Sequence, residues 1–129
     1  MNIYSELEDM NDVTFINRGK VGVGYLINMK ERYPLELSGG QIIGSFEVGF
    51  DLRSQYIYKA ITDVEGYFIR KSDWKMLETK HPFFYDFLFK KLIIIFYTLI
   101  RPKMTEAKEK DIQHFKRRSD HTQFCMVTD

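Results

Sequence analysis

The chain has 129 residues, of which 44% are hydrophobic and 16% aromatic, and its formal net charge is +1 at pH 7. A chain this apolar is not a disordered segment, and it is long enough for one domain with a hydrophobic core. So small a net charge creates no field that would attract nucleic acid, which is therefore excluded as an expected partner.

Residues 3–70 are predicted to form short strands separated by turns. The segment "KVGVGYLIN" alternates, with branched and aromatic residues on one face and Gly22 and Gly24 on the other. Two glycines on one face indicate a bend or a close approach of two backbones. In "YPLEL", Pro34 indicates an edge strand because proline has no N–H for a ladder. Strands repeated every eight to twelve residues or so predict a sandwich, roll or barrel.

The hydrophobic period becomes helical in "SDWKMLETK", which predicts a helix over residues 72–80 with Ser72 as its N-cap. A second helix is predicted over residues 82–100, with Pro102 stopping it. Residues 101–129 are highly charged and predict an exposed helical extension that ends in a flexible tail.

The apolar run "FFYDFLFKKLIIIFYTLI" raises the alternative of a membrane helix over residues 83–100. A membrane span needs about 20 mostly apolar residues, and each charge at its centre costs roughly 2.5 to 3.5 kcal/mol. Because Asp86, Lys90 and Lys91 interrupt the run, a helix packed against protein is favoured. Residues 92–99 are apolar on nearly all sides, more than one β-roll covers, which predicts a partner, a neighbouring subunit or a missing part of the chain.

The order of these signals resembles the cyclic nucleotide-binding domain. "IYSELEDMNDVTFINRGKVGVGY" is similar to the family's strand, acidic turn and strand, with Gly19 at the turn glycine. "LELSGGQIIGSFEV" is similar to the approach to its phosphate-binding cassette, and "YKAITDVEGYFIRKSDWKML" to its last strands and following helix, with Trp74 at an aromatic position. The likeness covers residues 3–100.

The resemblance implies a mainly β fold with C-terminal α-helices, a cyclic nucleotide-binding-like β-roll of jelly-roll type. The roll would occupy residues 3–70 of a domain spanning residues 1–100, followed by the extension over residues 101–129. The family's first strand and N-terminal helices are expected to be missing.

The resemblance also implies a non-enzymatic regulatory module that requires no cofactor and whose possible ligand is cyclic AMP or cyclic GMP. "RSQYIYKAI" and "IRPKMTEAKEKDI" are similar to a divergent branch found as C-terminal regulatory domains of voltage-gated, potassium-type cation channels. This implies a parent protein in a membrane, with the domain on the cytoplasmic side. A pore domain or a neighbouring subunit would contact the helix over residues 82–100.

In that family a glutamate directly after a glycine holds the ribose, and an arginine further along holds the phosphate. Gly44 matches the glycine, Ser45 stands at the glutamate position and Ser54 at the arginine position. The carboxylate of Glu47 lies two residues after the glutamate position, and the guanidinium of Arg53 lies one residue before the arginine position. A shift of one residue along a strand turns a side chain to the opposite face, so the position of Arg53 decides whether it reaches the pocket.

Two sets of candidate residues result. The candidate pocket residues are Gly44, Ser45, Glu47, Arg53, Ser54 and Gln55. The candidate residues of the lid helix and interface are Leu92, Ile95, Phe96 and Leu99. Serines at positions 45 and 54 cannot make the charged hydrogen bonds of the family's glutamate and arginine. Since a hydrogen bond to a charged group contributes about 1.5 to 3 kcal/mol, the loss of these contacts predicts weak or absent nucleotide binding. The alternative is a structural or oligomerisation domain of the same fold that binds no nucleotide.

No catalytic residue and no metal site is predicted. The spacing of Gly44 and Gly49 lacks the Gly-Lys-Ser/Thr ending of a P-loop. His121 and Cys125 have a usable spacing for zinc, but no second ligand pair accompanies them. Cys125 is the only cysteine and the first residues lack an apolar leader, which predicts a reducing, cytoplasmic setting.

Overall fold

The computed structural model describes the backbone of residues 2–128 and the side chains of residues 3–114. In this part of the chain, strands come first and the longer helices follow. The strands are β1 Asn2–Tyr4, β2 Asp12–Arg18, β3 Val21–Ile27, β4 Lys30–Leu37, β5 Ile42–Ile43, β6 Ile57–Ala60 and β7 Glu65–Arg70. The helices are α1 Ser45–Gly49, α2 Lys71–Lys80, α3 Pro82–Ile95, the π-helical turn Phe96–Ile100 and α4 Arg101–Thr128.

The strands form two antiparallel sheets that enclose the core. One sheet has the order β1-β6-β3-β4 and the other the order β5-β2-β7. Alternate residues of β3, Val21, Val23 and Tyr25, are buried, as their period of two predicts. Pro34 lies in β4, an edge strand, as its missing N–H predicts.

Gly24 of β3 allows the backbone of the neighbouring strand β4 to come close. A Cβ on Gly24 would lie 2.2 Å from the Arg32 carbonyl oxygen and 2.6 Å from the Tyr33 ring. The pairing of β3 with β4 shifts register between Val23 and Tyr25. The predicted close backbone approach is therefore confirmed, and it coincides with an irregularity in the ladder.

The first long helix begins one residue earlier than predicted. Strand β7 passes directly into α2, whose N-cap is Arg70 in an extended conformation, so the prediction of Ser72 as the N-cap is wrong. The helix is held by Trp74, which is fully buried and meets the Tyr85 ring edge to face with centroids 5.7 Å apart. This contact fixes α2 against α3 through burial of large aromatic surfaces.

The second long helix does not stop before Pro102. Phe96 and Arg101 both have φ −60° and ψ −47°, so α3, the π-helical turn and α4 run on as one helix. Proline inside an α-helix removes a donor and clashes with the carbonyl four residues earlier. Here the Arg101 N–H donates to the Phe96 carbonyl, five residues back, and this wider turn gives the proline ring room. The prediction that the helix ends at Ile100 is therefore wrong.

The first turns of α4 pack against the roll. Met104 is buried, and the Tyr25 hydroxyl donates a hydrogen bond to the Asp111 carboxylate. Burial, followed by this hydrogen bond, raises the pKa of Tyr25 well above its usual value. Most other described side chains of α4 are exposed. The division at residue 100 stays a prediction, but the segment after it is not wholly exposed.

Within the described residues, which include the apolar run over residues 83–100, no helix is long and apolar enough to cross a membrane. Over the same described residues, no group of three or more His, Cys, Asp or Glu side chains could hold a metal ion. The side chains of His121 and Cys125 lie outside the described part.

Candidate functional site

The site is built on the short helix α1, which follows a glycine turn. Gly44 precedes the helix with φ +90° and accepts a hydrogen bond from the Val48 N–H at 2.9 Å. A Cβ at Gly44 would lie 2.9 Å from the Met10 Cε and 3.0 Å from the Asp12 carbonyl oxygen. The positive φ and the crowding together require glycine here, as the proposed match to a cassette glycine implies.

A cavity of about 120 Å³ lies between this helix and the long C-terminal helix. Its walls come from the segment around α1, from β6 and from the helix over residues 82–100. The lining residues are Gly40, Gln41, Ile42, Gly44, Ser45, Phe46, Glu47, Tyr58, Leu92, Ile95, Phe96, Leu99 and Ile100. Ligand pockets in proteins usually measure about 300 to 1,000 Å³, so this cavity is smaller than a usual ligand pocket.

The lid, defined as residues 82–100, is shut onto α1. The Phe46 and Phe96 rings stack with centroids 4.0 Å apart and planes 5° from parallel. Gly49 allows a second close contact, since a Cβ there would lie 2.1 Å from the Phe89 Cε2. All four predicted lid residues, Leu92, Ile95, Phe96 and Leu99, line the cavity.

The most unusual group in the cavity is the Glu47 carboxylate. The side chain is only 1% exposed, and its Oε1 accepts a hydrogen bond from the Tyr58 hydroxyl at 3.2 Å. The other oxygen, Oε2, is buried without a hydrogen-bond partner among the described residues. Burial raises the pKa of Glu47 to about 7, while the hydrogen bond from Tyr58, one from the backbone N–H of Glu47 and, more weakly, the positive charge of Arg101 act to lower it.

Arg101 lies beside the cavity within an aromatic cluster. Its guanidinium carbon lies 4.6 Å from the Tyr97 ring centroid, 5.1 Å from that of Phe46 and 5.2 Å from that of Phe96. These are distances at which a cation is attracted to a ring face. Arg101 therefore ties the start of α4 to the stacked pair that closes the lid.

The remaining predicted pocket residues lie elsewhere. Arg53 is in a loop, 68% exposed, with its Nε 3.3 Å from the Asp9 Oδ1. Ser54 is fully buried, and its hydroxyl donates to the Tyr56 carbonyl at 2.6 Å. Gln55 is exposed. None of these three predicted residues lines the cavity.

The structure thus brings Gly44, Ser45 and Glu47 together and leaves the predicted cation outside. Among the site residues that were not predicted, Phe46, Tyr58 and Arg101 contribute most to its chemistry. Phe46 could have been found from the cassette itself, because it lies between Ser45 and Glu47 in the chain. Tyr58 lies in a segment that was predicted to be a strand, at an even spacing from Ser54. Arg101 gave no such signal, since its place depends on the helical backbone continuing beyond Ile100.

Comparisons with known proteins bear on the fold. No family model matches this sequence, and no curated protein matches it. Among solved structures, a cyclic nucleotide-binding domain from Methylobacillus flagellatus is 15% identical with a TM-score of 0.72, over 85% of this chain and 62% of that one. The regulatory domain of Toxoplasma gondii PKA, solved with cAMP, is 14% identical with a TM-score of 0.56, over 80% of this chain and 41% of that one.

A third similar structure is the EAL enzyme Bd1971 in a cGMP-bound form, at 19% identity and a TM-score of 0.57, over 71% of this chain and 26% of that one. This chain therefore spans less than two thirds of the length of each of these three proteins. Together they confirm the predicted fold, a cyclic nucleotide-binding-like β-roll with C-terminal helices.

Proposed function

We propose that this chain is a non-enzymatic regulatory module of the cyclic nucleotide-binding fold that binds cyclic nucleotides weakly or not at all. One observation carries the proposal: the charged group in the cavity is a carboxylate, Glu47, and no cationic side chain is among the described lining residues. A cyclic phosphate is an anion, which needs a guanidinium or ammonium group and backbone N–H donors.

Two further features support weak binding. Ser54, at the family's arginine position, is buried and turned to the Tyr56 carbonyl, while Arg53 is paired with Asp9 at the surface. The cavity of about 120 Å³ is smaller than the usual range for ligands of nucleotide size. A nucleotide would therefore have to open the lid and approach a carboxylate with its own negative charge.

Isothermal titration calorimetry with cyclic AMP and cyclic GMP tests this proposal. We expect no saturable heat, and no rise in the melting temperature, below millimolar ligand. The linear nucleotide 5′-AMP is the matched control for non-specific effects of the base and phosphate. A micromolar dissociation constant for either cyclic nucleotide would overturn the proposal.

The proposal extends to the parent protein. The similarity of "RSQYIYKAI" and "IRPKMTEAKEKDI" to channel regulatory domains supports a voltage-gated, potassium-type cation channel as the parent. In such a protein, movement of the lid would bias the pore, and a ligand could shift the lid only by its difference in affinity for the open and closed states. The test is the coding sequence upstream of Met1, where a set of hydrophobic spans is expected and a stop codon would overturn the channel parent.

A second candidate function is a structural or oligomerisation role without nucleotide. The lid exposes large apolar side chains that do not line the cavity, of which Phe83 is 92% exposed; Phe84, Phe87 and Ile94 are also exposed. Contiguous apolar surface of this kind is typical of interaction sites. Light scattering over a range of concentrations should show association through this surface, and a strictly monomeric protein would contradict the role.

A further inference from the structure

The cavity contains an acceptor that nothing in the described chain satisfies. Glu47 is 1% exposed and lines the cavity, and its Oε2 is buried without a hydrogen-bond partner among the described residues. Buried polar atoms are nearly always paired, so an unpaired carboxylate oxygen on a residue that lines a cavity indicates a missing donor. The Tyr58 hydroxyl is already committed to Oε1 and leaves Oε2 open.

The rest of the cavity lining is mostly apolar. Leu92, Leu99 and Ile100 line it from the lid, and Gln41, Ser45 and Tyr58 are its other polar side chains. The volume of about 120 Å³ equals about four waters at their share of liquid volume. The space therefore suits a small molecule with one polar end and one apolar end.

No cationic side chain of the described residues lines the cavity beside Glu47. Arg101 lies within about 5 Å of the Phe46 and Phe96 ring centroids, at 5.1 and 5.2 Å, but it is not among the residues that line the cavity. The lid residues on the cavity wall carry no charge. The carboxylate of Glu47 thus has no cationic side chain beside it in a mostly apolar cavity, which is the arrangement that a bound cation stabilises.

We propose that this cavity binds a small organic cation, whose primary ammonium group donates a hydrogen bond to Glu47 Oε2 and whose short alkyl part packs against Leu92 and Leu99. The inference rests on the proposed function in one respect, that cyclic nucleotide does not occupy the site. Its ligand class is opposite in charge to a cyclic nucleotide, so the two proposals can fail separately.

Titration with n-butylammonium, followed by NMR chemical-shift changes, tests the inference on the intact chain. Two probes of similar shape serve as controls: n-butanol has no charge, and butyrate has a negative charge. At pH 8 we expect n-butylammonium to bind at least about tenfold more tightly than n-butanol, because a hydrogen bond to a charged group is worth that much. Shifts are expected at Phe46, Tyr58 and Leu92.

The pH dependence gives a readout that needs no variant. The charged and titratable groups facing Glu47 are Tyr58 of β6, Tyr56 just before it and Arg101 of α4. Burial raises the pKa of both tyrosines, and an arginine stays charged in proteins, so only the carboxylate changes its charge between pH 6 and pH 8. With the pKa of Glu47 at about 7, affinity for n-butylammonium should fall about tenfold on going from pH 8 to pH 6.

Glu47→Gln supplies the matched variant, since it keeps the shape and removes the charge. We expect its affinity for n-butylammonium to fall at least about tenfold, to the level of n-butanol, and to lose its pH dependence. Glu36→Gln removes the same charge from an exposed position of β4 and should bind as the wild type does.

Equal binding of n-butanol and n-butylammonium, or no binding of either, would overturn the inference and leave the proposed function untouched. Tight binding of cyclic AMP would instead overturn the proposed function, and the n-butylammonium titration would still decide the inference by itself.

Discussion

Phe46 of α1 and Phe96 of the lid stack face to face, with ring centroids 4.0 Å apart and planes within 5° of each other. Because one ring belongs to the helix beside the cavity and the other to the long helix that covers it, this contact holds the cavity closed. Arg101 lies 5.1 Å and 5.2 Å from these two ring centroids and adds a cation–π attraction.

Phe96→Ala should open this closure and destabilise the fold. Removing a buried phenylalanine costs about 3 to 5 kcal/mol of unfolding free energy, since contacts are lost and a cavity is left. Urea unfolding measures the loss. Phe83→Ala is the matched control on the same helix, because Phe83 is 92% exposed and should change stability by less than about 0.5 kcal/mol. Similar losses for the two variants would contradict a closing role for the stacked pair.

Glu47 should make the protein less stable as the pH rises. Burial raises its pKa to about 7 from the ordinary 4.5, so the folded state holds this proton more tightly than the unfolded state does. The resulting stabilisation is complete below pH 4.5 and is lost as the pH rises to about 7. At pH 8, Glu47→Gln should therefore be more stable than the wild type by about 1 to 3 kcal/mol.

Urea unfolding at pH 5 and pH 8 measures this effect. Glu36→Gln removes an exposed carboxylate and should keep the wild-type dependence on pH. If the unfolding free energy of Glu47→Gln changes between pH 5 and pH 8 as much as that of the wild type, burial of the Glu47 carboxylate does not cause the pH dependence.

Restoring the family's charged pair should restore a response to cyclic nucleotide. Ser45→Glu and Ser54→Arg together place a carboxylate and a guanidinium at the positions that the sequence resemblance assigns to them. We expect a less stable protein without ligand, because Ser54 is fully buried and a lone buried charge is costly. Millimolar cyclic AMP should then raise the melting temperature, which it should not do for the wild type.

The matched control makes the same two changes at exposed serines, Ser38→Glu with Ser72→Arg. This control should show no shift with cyclic AMP. Absence of a shift in the restored variant as well would mean that Ser45 and Ser54 do not occupy the family's positions.

Gly49→Ala should weaken the contact between α1 and the lid. The added Cβ would lie 2.1 Å from the Phe89 Cε2 and 2.4 Å from its Cζ, so the ring must move, at about 1 to 3 kcal/mol. Without that clash, alanine would stabilise a helical position relative to glycine by roughly 0.5 to 1 kcal/mol. A double-mutant cycle with Phe89→Ala separates the two effects. Gly49→Ala should destabilise the wild-type protein, whereas in the Phe89→Ala background the same change should be neutral or stabilising.

Much of the roll could be predicted from local patterns. The alternation in β3, the glycine pair at Gly22 and Gly24 and the proline of β4 each act over a few residues, so the sequence carries their signal directly. The glycine at position 44 is of the same kind, since its positive φ admits few other residues. Two predictions from local sequence were wrong because nearby backbone adopted a different geometry. The π-helical turn accommodates Pro102, so the helix does not end before it. Arg70, in an extended conformation, is the N-cap of α2 instead of Ser72.

The sequence by itself determined the order of strands and helices, the roll-like class and the absence of a charged pair at positions 45 and 54, because each depends on residue type and short-range spacing. Only the tertiary structure decided the chemistry of the cavity. Arg53 is turned outward to Asp9, Glu47 is buried facing Tyr58, and Arg101 is brought to the aromatic cluster. These positions depend on which distant segments pack together, and burial in that packing is what turns an ordinary glutamate into an unpaired acceptor.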